Sequence, residues 1–340
     1  MAYKNISDFI SFLESKGEVV RVKTEVDPEL EITEIADRLV KKGGPAIIFE
    51  NIKGSKLPLA INLFGTARRT LYAFGRNSLD DVGRELTKLM NQPVPVSLGD
   101  KIRKIPELAN LGRCLPKLVS HAPCRQNVIT DPDLGFLPIL KCWPGDGGKF
   151  ITLPLVVTKN PETGTHNLGM YRMQVYDGKT TGMHWHIHKD GYTHFLKYRE
   201  QKKKMPVAVA IGADPMTVYA STAPLPEHVD EYLFAGMLNN RPVELVKALT
   251  SDLLVPAEAE IVLEGYVDPA ETRIEGPFGD HTGYYSPASE YPVFHITHIT
   301  HRDNPVYMTT VVGKPPMEDC FLAKATERIF LPFLQTLLPE

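Results

Sequence analysis

Five side chains able to do chemistry fall within one stretch of about twenty residues: Asn167, Arg172, His184, His186 and His188. Two runs rich in β-branched, aromatic and Met residues, 167–176 and 181–188, flank Asp177-Gly178. That dipeptide between such runs predicts a β-hairpin. Alternate side chains share a face of a strand, so the three imidazoles are expected together, with Trp185 and Ile187 opposite. Asn167 and Arg172 are an odd number of residues apart, and they reach one site only if Gly169 marks a bulge or twist. A buried Arg beside a row of His is costly in a plain core. The stretch therefore points to a ligand or metal site, against the alternative of a solvated sheet face.

Two further segments carry carboxyls. In Glu275-Gly-Pro-Phe-Gly-Asp280 the intervening residues must turn, so the two acids can converge on one point. Converging carboxyls repel when both are ionised, which raises one pKa and yields an acid usable near neutrality. An Arg such as Arg172 would hold the other as carboxylate. The alternative is a loop capped by acidic side chains. Glu231 lies early in a helical pattern beside Asp230, where stabilising the helix dipole by about 0.3–1 kcal/mol is sufficient reason for both. Joined to Asn167 and the His face, Glu231 instead makes an oxygen and nitrogen ligand set that suits Mn or Mg better than zinc.

At 340 residues the chain is too long for one compact core, and two domains are expected. Its hydrophobic content of 43% and charged content of 23% are ordinary for a globular protein. A net charge of −3 gives no reason to expect nucleic acid or an anionic membrane as partner. The polar N-terminus does not read as a secretory signal, and no apolar run is long enough to span a membrane. The four cysteines form no CxxC pair, so reduced thiols in the cytoplasm are the plain reading. No GxGxxG, Walker A, GxSxG or HExxH pattern occurs, which weakens Rossmann, P-loop, hydrolase-elbow and metalloprotease readings.

The positioning elements follow from periodicity. Helices are expected at 7–15, 28–42 and 78–90, and strands at 20–26, 46–49 and 59–63, which together make a small α/β domain. Arg68 and Arg69 read as a solvated loop pair or an anion contact. Residues 101–150, ending in Trp143-Pro-Gly-Asp-Gly-Gly148, are proline-rich and read as a covering segment. From 151 onward strands succeed one another, with turns at 160–164 and 177–178 and further strands at 206–211, 261–267, 293–300 and 306–312. Such a run suggests a mainly antiparallel sheet closing towards a barrel. A helix at 229–238 and the segment 243–249 interrupt it. Glu258, Glu260 and Glu264 read as an exposed strand edge, and His295, His298 and His301 as a half-solvated face. The amphipathic pattern at 321–338 runs almost to the last residue without a capping Gly, so more structure is expected beyond it.

Together these segments resemble the UbiD family of decarboxylases, which use prenylated FMN. The resemblance runs nearly end to end, on Asn167-Leu-Gly-Met-Tyr-Arg172, the Trp-x-x-His stretch ending at His188, Ala213-Asp-Pro215, Asp252-Leu-x-Val-Pro256, Glu260-Ile-Val-Leu-Glu-Gly265 and Glu275-Gly-Pro-Phe-Gly-Asp280. It implies an α+β fold: an N-terminal α/β domain over 1–108, then an FMN-binding split-barrel-like β domain with the catalytic site over 109–315. Residues 316–340 would begin a linker helix to a C-terminal domain beyond this chain, which in the family completes oligomerisation and supplies a cofactor-contacting Lys. Asn167, His188 and Glu231 match the family's metal ligands. Thr152, Asn167, Gly169, Met170, Tyr171, Arg172 and His188 match its cofactor contacts. Arg172, Glu275 and Asp280 match its catalytic triad, with Asp280 as the acid and Glu275 as its partner. Only His188 of the three imidazoles matches a ligand, so His184 and His186 would line the site or face solvent.

The implied cofactors are prenylated FMN and Mn2+ or another divalent metal, with K+ as a further candidate ion. The implied partners are a small carboxylic acid, a flavin prenyltransferase as cofactor supplier and copies of the same chain, without nucleic acid or stable membrane insertion. The expected activity is non-oxidative, reversible decarboxylation of an aromatic or α,β-unsaturated acid. His184 beside Trp185 hints at a phenolic acid, and a prenylated hydroxybenzoate of ubiquinone biosynthesis is equally open. Two rivals stand beside this reading: a metal-assisted hydrolase built on the His face without flavin, and a flavin- or phosphate-binding fragment without catalysis.

Overall fold

The computed structural model describes residues 2–90, 111–226 and 229–337. Its N-terminal part forms as the periodicity requires. Helix Ile6–Ser15 is capped by the Asn5 side chain, which accepts from Asp8 N, and it buries Ile6, Phe9, Ile10 and Leu13. Helix Glu31–Lys41 follows strand Val19–Val22, which pairs in parallel with Ala46–Phe49. Ala46–Phe49 in turn pairs antiparallel with Leu59–Ile61.

Three expectations for this region need correction. The run at 306–312 yields a strand only at Tyr307–Met308, and that strand joins Leu59–Ile61 in the N-terminal sheet rather than the main one. Late sequence thus completes the early sheet. A helix, Ala67–Phe74, also stands where a loop was expected, capped by the Thr66 side chain and ended by Gly75 in the left-handed region. Arg68 on it is exposed, but Arg69 is fully buried, donating to Glu18 and to the Gly44 carbonyl. Both pair with Glu18, but only Arg69 also reaches the Gly44 carbonyl, so one residue of the helix is solvated and its neighbour is not.

The main sheet has seven strands in antiparallel pairings. Its path runs from Thr180–Gly182 through Ser289–His301, Ile261–Glu275, Met205–Ile211 and Leu155–Lys159 to His166–Met170, with Asn127–Ile129 added on Ser289–His301. Among the described residues the path is open, so no closed barrel forms. The two long strands Ile261–Glu275 and Ser289–His301 shift register at Glu264/Gly265. A Cβ on Gly265 would lie 1.8 Å from the His295 carbonyl oxygen, so this irregularity requires glycine.

Glu258, Glu260 and Glu264 are buried, at 7, 0 and 1% exposure, not an exposed edge. Glu260 takes Arg302 at 3.1 Å and Val306 N at 3.0 Å. Glu264 accepts from the backbone of Leu249 and Thr250. A buried carboxylate survives where distant backbone donors meet it, and strand alternation cannot reveal such donors. His295, His298 and His301 are half-buried, as expected.

The Ala213-Asp214-Pro215 segment caps helix Pro215–Ala220, with the Asp214 side chain accepting from Met216 and Thr217 N. Helix Glu318–Leu337 packs on Leu79–Met90, and its buried Glu318 accepts from Asn62 N and Phe64 N. Of the segment 101–150 expected to cover the next domain, 101–110 lie outside the described residues; near its other end Trp143 Nε1 donates to the Val312 carbonyl at 2.8 Å.

Candidate active site

The chain reverses at Asp177-Gly178 as expected. The Asp177 side chain accepts from Lys179 N at 2.9 Å and Thr180 Oγ1 at 2.7 Å, and Val175 bridges Thr181. The flanking strands are shorter than expected and pair elsewhere: Met173–Gln174 with Phe150–Ile151, and Thr180–Gly182 with Ser289–His301. After Gly182 the chain leaves the sheet. His184 N donates to the Arg172 carbonyl at 3.3 Å, and Trp185 N turns back on Met183 O. The three imidazoles therefore share no strand face. His184 is buried, whereas His186 and His188 are exposed. With that face goes the basis for the hydrolase reading. Among the described residues no three His, Cys, Asp or Glu stand together as a metal group.

Gly169 marks no bulge, since it keeps regular register with Val156. It makes room for the Tyr171 ring, because a Cβ there would lie 2.3 Å from Tyr171 Oη. That ring fold, rather than a bulge, is what the glycine serves.

The carboxyls of the Glu275 turn converge on Arg172. Its Nε meets Glu275 Oε1 at 3.1 Å and its Nη1 meets Asp280 Oδ2 at 3.3 Å. Its Nη2 donates to Ser286 Oγ at 3.0 Å, and the guanidinium lies 4.3 Å over the Phe278 ring. Glu275 closes the long strand Ile261–Glu275, and Gly276 follows at φ +100, where other residues are strained. Gly276 N donates to Gln174 Oε1 at 2.6 Å, and Gly279 N to Asp146 Oδ1 at 2.7 Å. The turn is thus clamped at both ends. For Asp280, burial pushes the carboxyl up, but the backbone N–H and ring of His281, together with Arg172, outweigh it and leave the pKa below the usual range. Sequence reasoning missed Ser286, Gln174, Asp146 and the contact of His184 with Glu275 Oε1 at 2.7 Å. Only their polar character was visible beforehand.

Around Asn167 the structure brings two of the three expected ligands together. Glu231 opens helix Glu231–Asn239, and its Oε2 accepts from Leu168 N at 3.2 Å. Asp230, not Glu231, caps that helix, accepting from Leu233 N. Asn167 is buried, with Nδ2 at 3.5 Å from Tyr171 Oη. A cavity of about 120 Å³ opens between them, lined among others by His166, Asn167, Asp190, His194, Asp230 and Glu231. His188 stays in the exposed turn that precedes helix Asp190–Glu200.

Burial pushes Glu231 up to about 7, and Asp230 and Asp190 add to it. Glu231 and Asn167 line one cavity, and a carboxyl with an amide oxygen is a donor pair that a hard divalent cation accepts. Of the expected cofactor contacts, Thr152 Oγ1 donates to the Thr310 carbonyl, and Met170 N to the Ser221 carbonyl at 3.1 Å. Burial pushes the Tyr171 phenol up to about 12. Buried polar atoms without partners occur on the same segments: His166 Nε2, Thr181 Oγ1, Trp185 Nε1 and Glu275 Oε2.

A family model described as the 3-octaprenyl-4-hydroxybenzoate carboxy-lyase Rift-related domain matches residues 117–315, and the N-terminal domain model of the same carboxy-lyase matches 10–89. A protein of Archaeoglobus fulgidus, described as uncharacterized, is 54% identical over 100% of this chain and 70% of its own length. Another from Aquifex aeolicus, described in the same way, is 51% identical over 99% and 70%. Among solved structures, the closed form of Sedimentibacter hydroxybenzoicus vanillic acid decarboxylase superposes with a TM-score of 0.87 at 31% identity, covering 100% of this chain and 71% of that one. An evolved dimeric form of the UbiD-class enzyme HmfF from Pelotomaculum thermopropionicum, in complex with prFMN, gives 0.85 at 30% identity, covering 99% and 74%.

Proposed function

The chain belongs to the UbiD family of carboxy-lyases, and on that premise we propose that it is a prenylated-FMN- and metal-dependent, non-oxidative decarboxylase of an aromatic or α,β-unsaturated carboxylic acid. The observation that carries this reading is Arg172 held between Glu275 and Asp280. A permanently charged fork with two carboxyls at its edges can receive a substrate carboxylate and keep an acid beside it. When bound, prenylated FMN supplies the electron sink for the pair left on an sp² carbon as CO₂ departs.

The chain's own residues orient and protonate. Arg172 pairs with the substrate carboxylate and aligns it. Pairing with Arg172 is part of what holds Asp280 low. As Arg172 turns to the substrate, Asp280 gains proton affinity, takes a proton from solvent and passes it to the carbon that has lost CO₂. Asn167 and Glu231, with His188 swung in from its turn, would hold the divalent metal, Mn2+ being the first candidate and K+ a further ion. Thr152 and the backbone of 169–171 would line the flavin. The remaining parts of the proposal are a split-barrel surround for the flavin, a cytoplasmic homo-oligomer and a flavin prenyltransferase as cofactor supplier. Among the described residues no helix is long and apolar enough to cross a membrane.

Co-expression with a flavin prenyltransferase, followed by an absorbance spectrum and CO₂-release assays on a panel of acids, tests the reading. Flavin bands with CO₂ release from at least one aromatic or unsaturated acid are expected. Flavin bands without release from any acid would leave a passive binder.

A further inference from the structure

Glu275 Oε1 accepts from two donors at once, Arg172 Nε at 3.1 Å and His184 Nδ1 at 2.7 Å. Its other oxygen, Oε2, is buried without a partner, packed against Gly182, where a Cβ would come within 2.8 Å of it. The last torsion of a Glu side chain is broad and two-fold, so one hydrogen bond does not fix which oxygen points where. A second donor at the same oxygen does.

His184 is itself held from three sides. Its ring stacks on Tyr291 with centroids 4.2 Å apart and planes 30° apart, and His186 meets it edge-on at 4.7 Å. Its backbone N donates to the carbonyl of Arg172. One residue thus ties by its backbone to Arg172 and by its ring to Glu275. Because Oε1 already accepts from Arg172, the proton in the 2.7 Å contact belongs on Nδ1 of the imidazole.

We infer that His184 is a positioning residue, whose Nδ1–H locks the Glu275 carboxyl with Oε1 on Arg172 and Oε2 turned towards Gly182, so that the guanidinium is held in place for the reacting substrate. The inference rests on the decarboxylase reading for its consequence, but not for its geometry. A plain core histidine on Tyr291 would need only its ring. A positioning histidine needs a donor at the Nδ1 place.

Three variants separate these roles. His184→Asn places an amide N–H near the Nδ1 position, His184→Gln carries it one bond further out, and His184→Phe keeps the ring without a donor. In the flavin-loaded enzyme, kcat should fall about 10- to 100-fold in the Gln and Phe variants, the range of one charge-assisted hydrogen bond, with KM little changed. The Asn variant should recover most of that loss. Wild-type kcat in His184→Phe would overturn the inference.

The geometry is tested without turnover, by nitrogen-15 NMR of the His184 ring in the full chain. Nδ1 should carry the proton in the wild type and lose it in Glu275→Ala. An unprotonated Nδ1 in the wild type would overturn the inference whatever the activity. If instead Nδ1 is protonated and no acid releases CO₂ from the wild type, the lock on Glu275 stands and the decarboxylase reading fails.

Discussion

The Arg172 cluster and the Glu231 cavity are both half-buried and acidic, yet they differ in how far the chain completes them. Every nitrogen of the Arg172 guanidinium has a partner: Glu275, Asp280 and Ser286. The cluster assembles from the protein's own charges. At Glu231 two further acids stand near, the carboxyl is pushed up to about 7, and the one expected imidazole, His188, is in solvent. Among the described residues no Lys or Arg lines that cavity. On the proposed reading, the difference teaches that the proton-handling geometry is set by the chain alone, while a metal at Glu231 would have to draw in His188 as its last ligand.

The largest effect should come from breaking the self-sufficient cluster. Arg172→Ala is expected to abolish decarboxylation and to destabilise the fold by about 3–5 kcal/mol, since a buried carboxylate loses its cation. Denaturant unfolding checks this, and unchanged stability would mean that Glu275 is satisfied elsewhere. Asp280→Asn should cost about 10²–10⁴ in CO₂ release at normal flavin occupancy.

Asp280 also sets an acid limit. Its folded pKa lies below the unfolded value, so its contribution to stability is complete above the unfolded value and is lost as pH falls through the folded one. The stability gap between wild type and Asp280→Asn should therefore close on acidification below about pH 4.

Smaller effects probe the cavity. A divalent cation at about 100 times its dissociation constant should stabilise the wild type by about 2.7 kcal/mol and Glu231→Gln by much less, as thermal unfolding would show. The smallest effect distinguishes the two regions most sharply. His188→Ala should leave the metal-free chain within about 0.5 kcal/mol of wild type, and lower only the response to metal. A large loss of stability without metal would show that His188 is part of the resting structure.

Much of the fold was legible in local signals. The Asp177-Gly178 reversal, the helix expected at 7–15 and the turn that converges Glu275 with Asp280 follow from a few adjacent residues. What stayed hidden depends on distant partners. Glu264 looks like an exposed strand residue until the backbone of 249–250 meets it, and Arg69 looks solvated until Glu18 does. The three-imidazole face failed because the chain leaves the sheet after Gly182, a departure fixed by His184 N on the Arg172 carbonyl. The site residues came mainly from resemblance, since spacing alone left Asn167 and Arg172 on opposite faces and put His184 on an imidazole face that does not form.

The proposal turns on a division of labour, in which the Arg172 cluster handles the proton while the cavity around Glu231 would hold the metal. Hydrogen exchange with deuterated solvent, at the product carbon that carried CO₂, reads the proton step alone, in flavin-loaded wild type and Asp280→Asn. The account predicts exchange in the wild type and a loss of about 10²-fold or more in Asp280→Asn at equal flavin content. Equal exchange rates in the two proteins would contradict it.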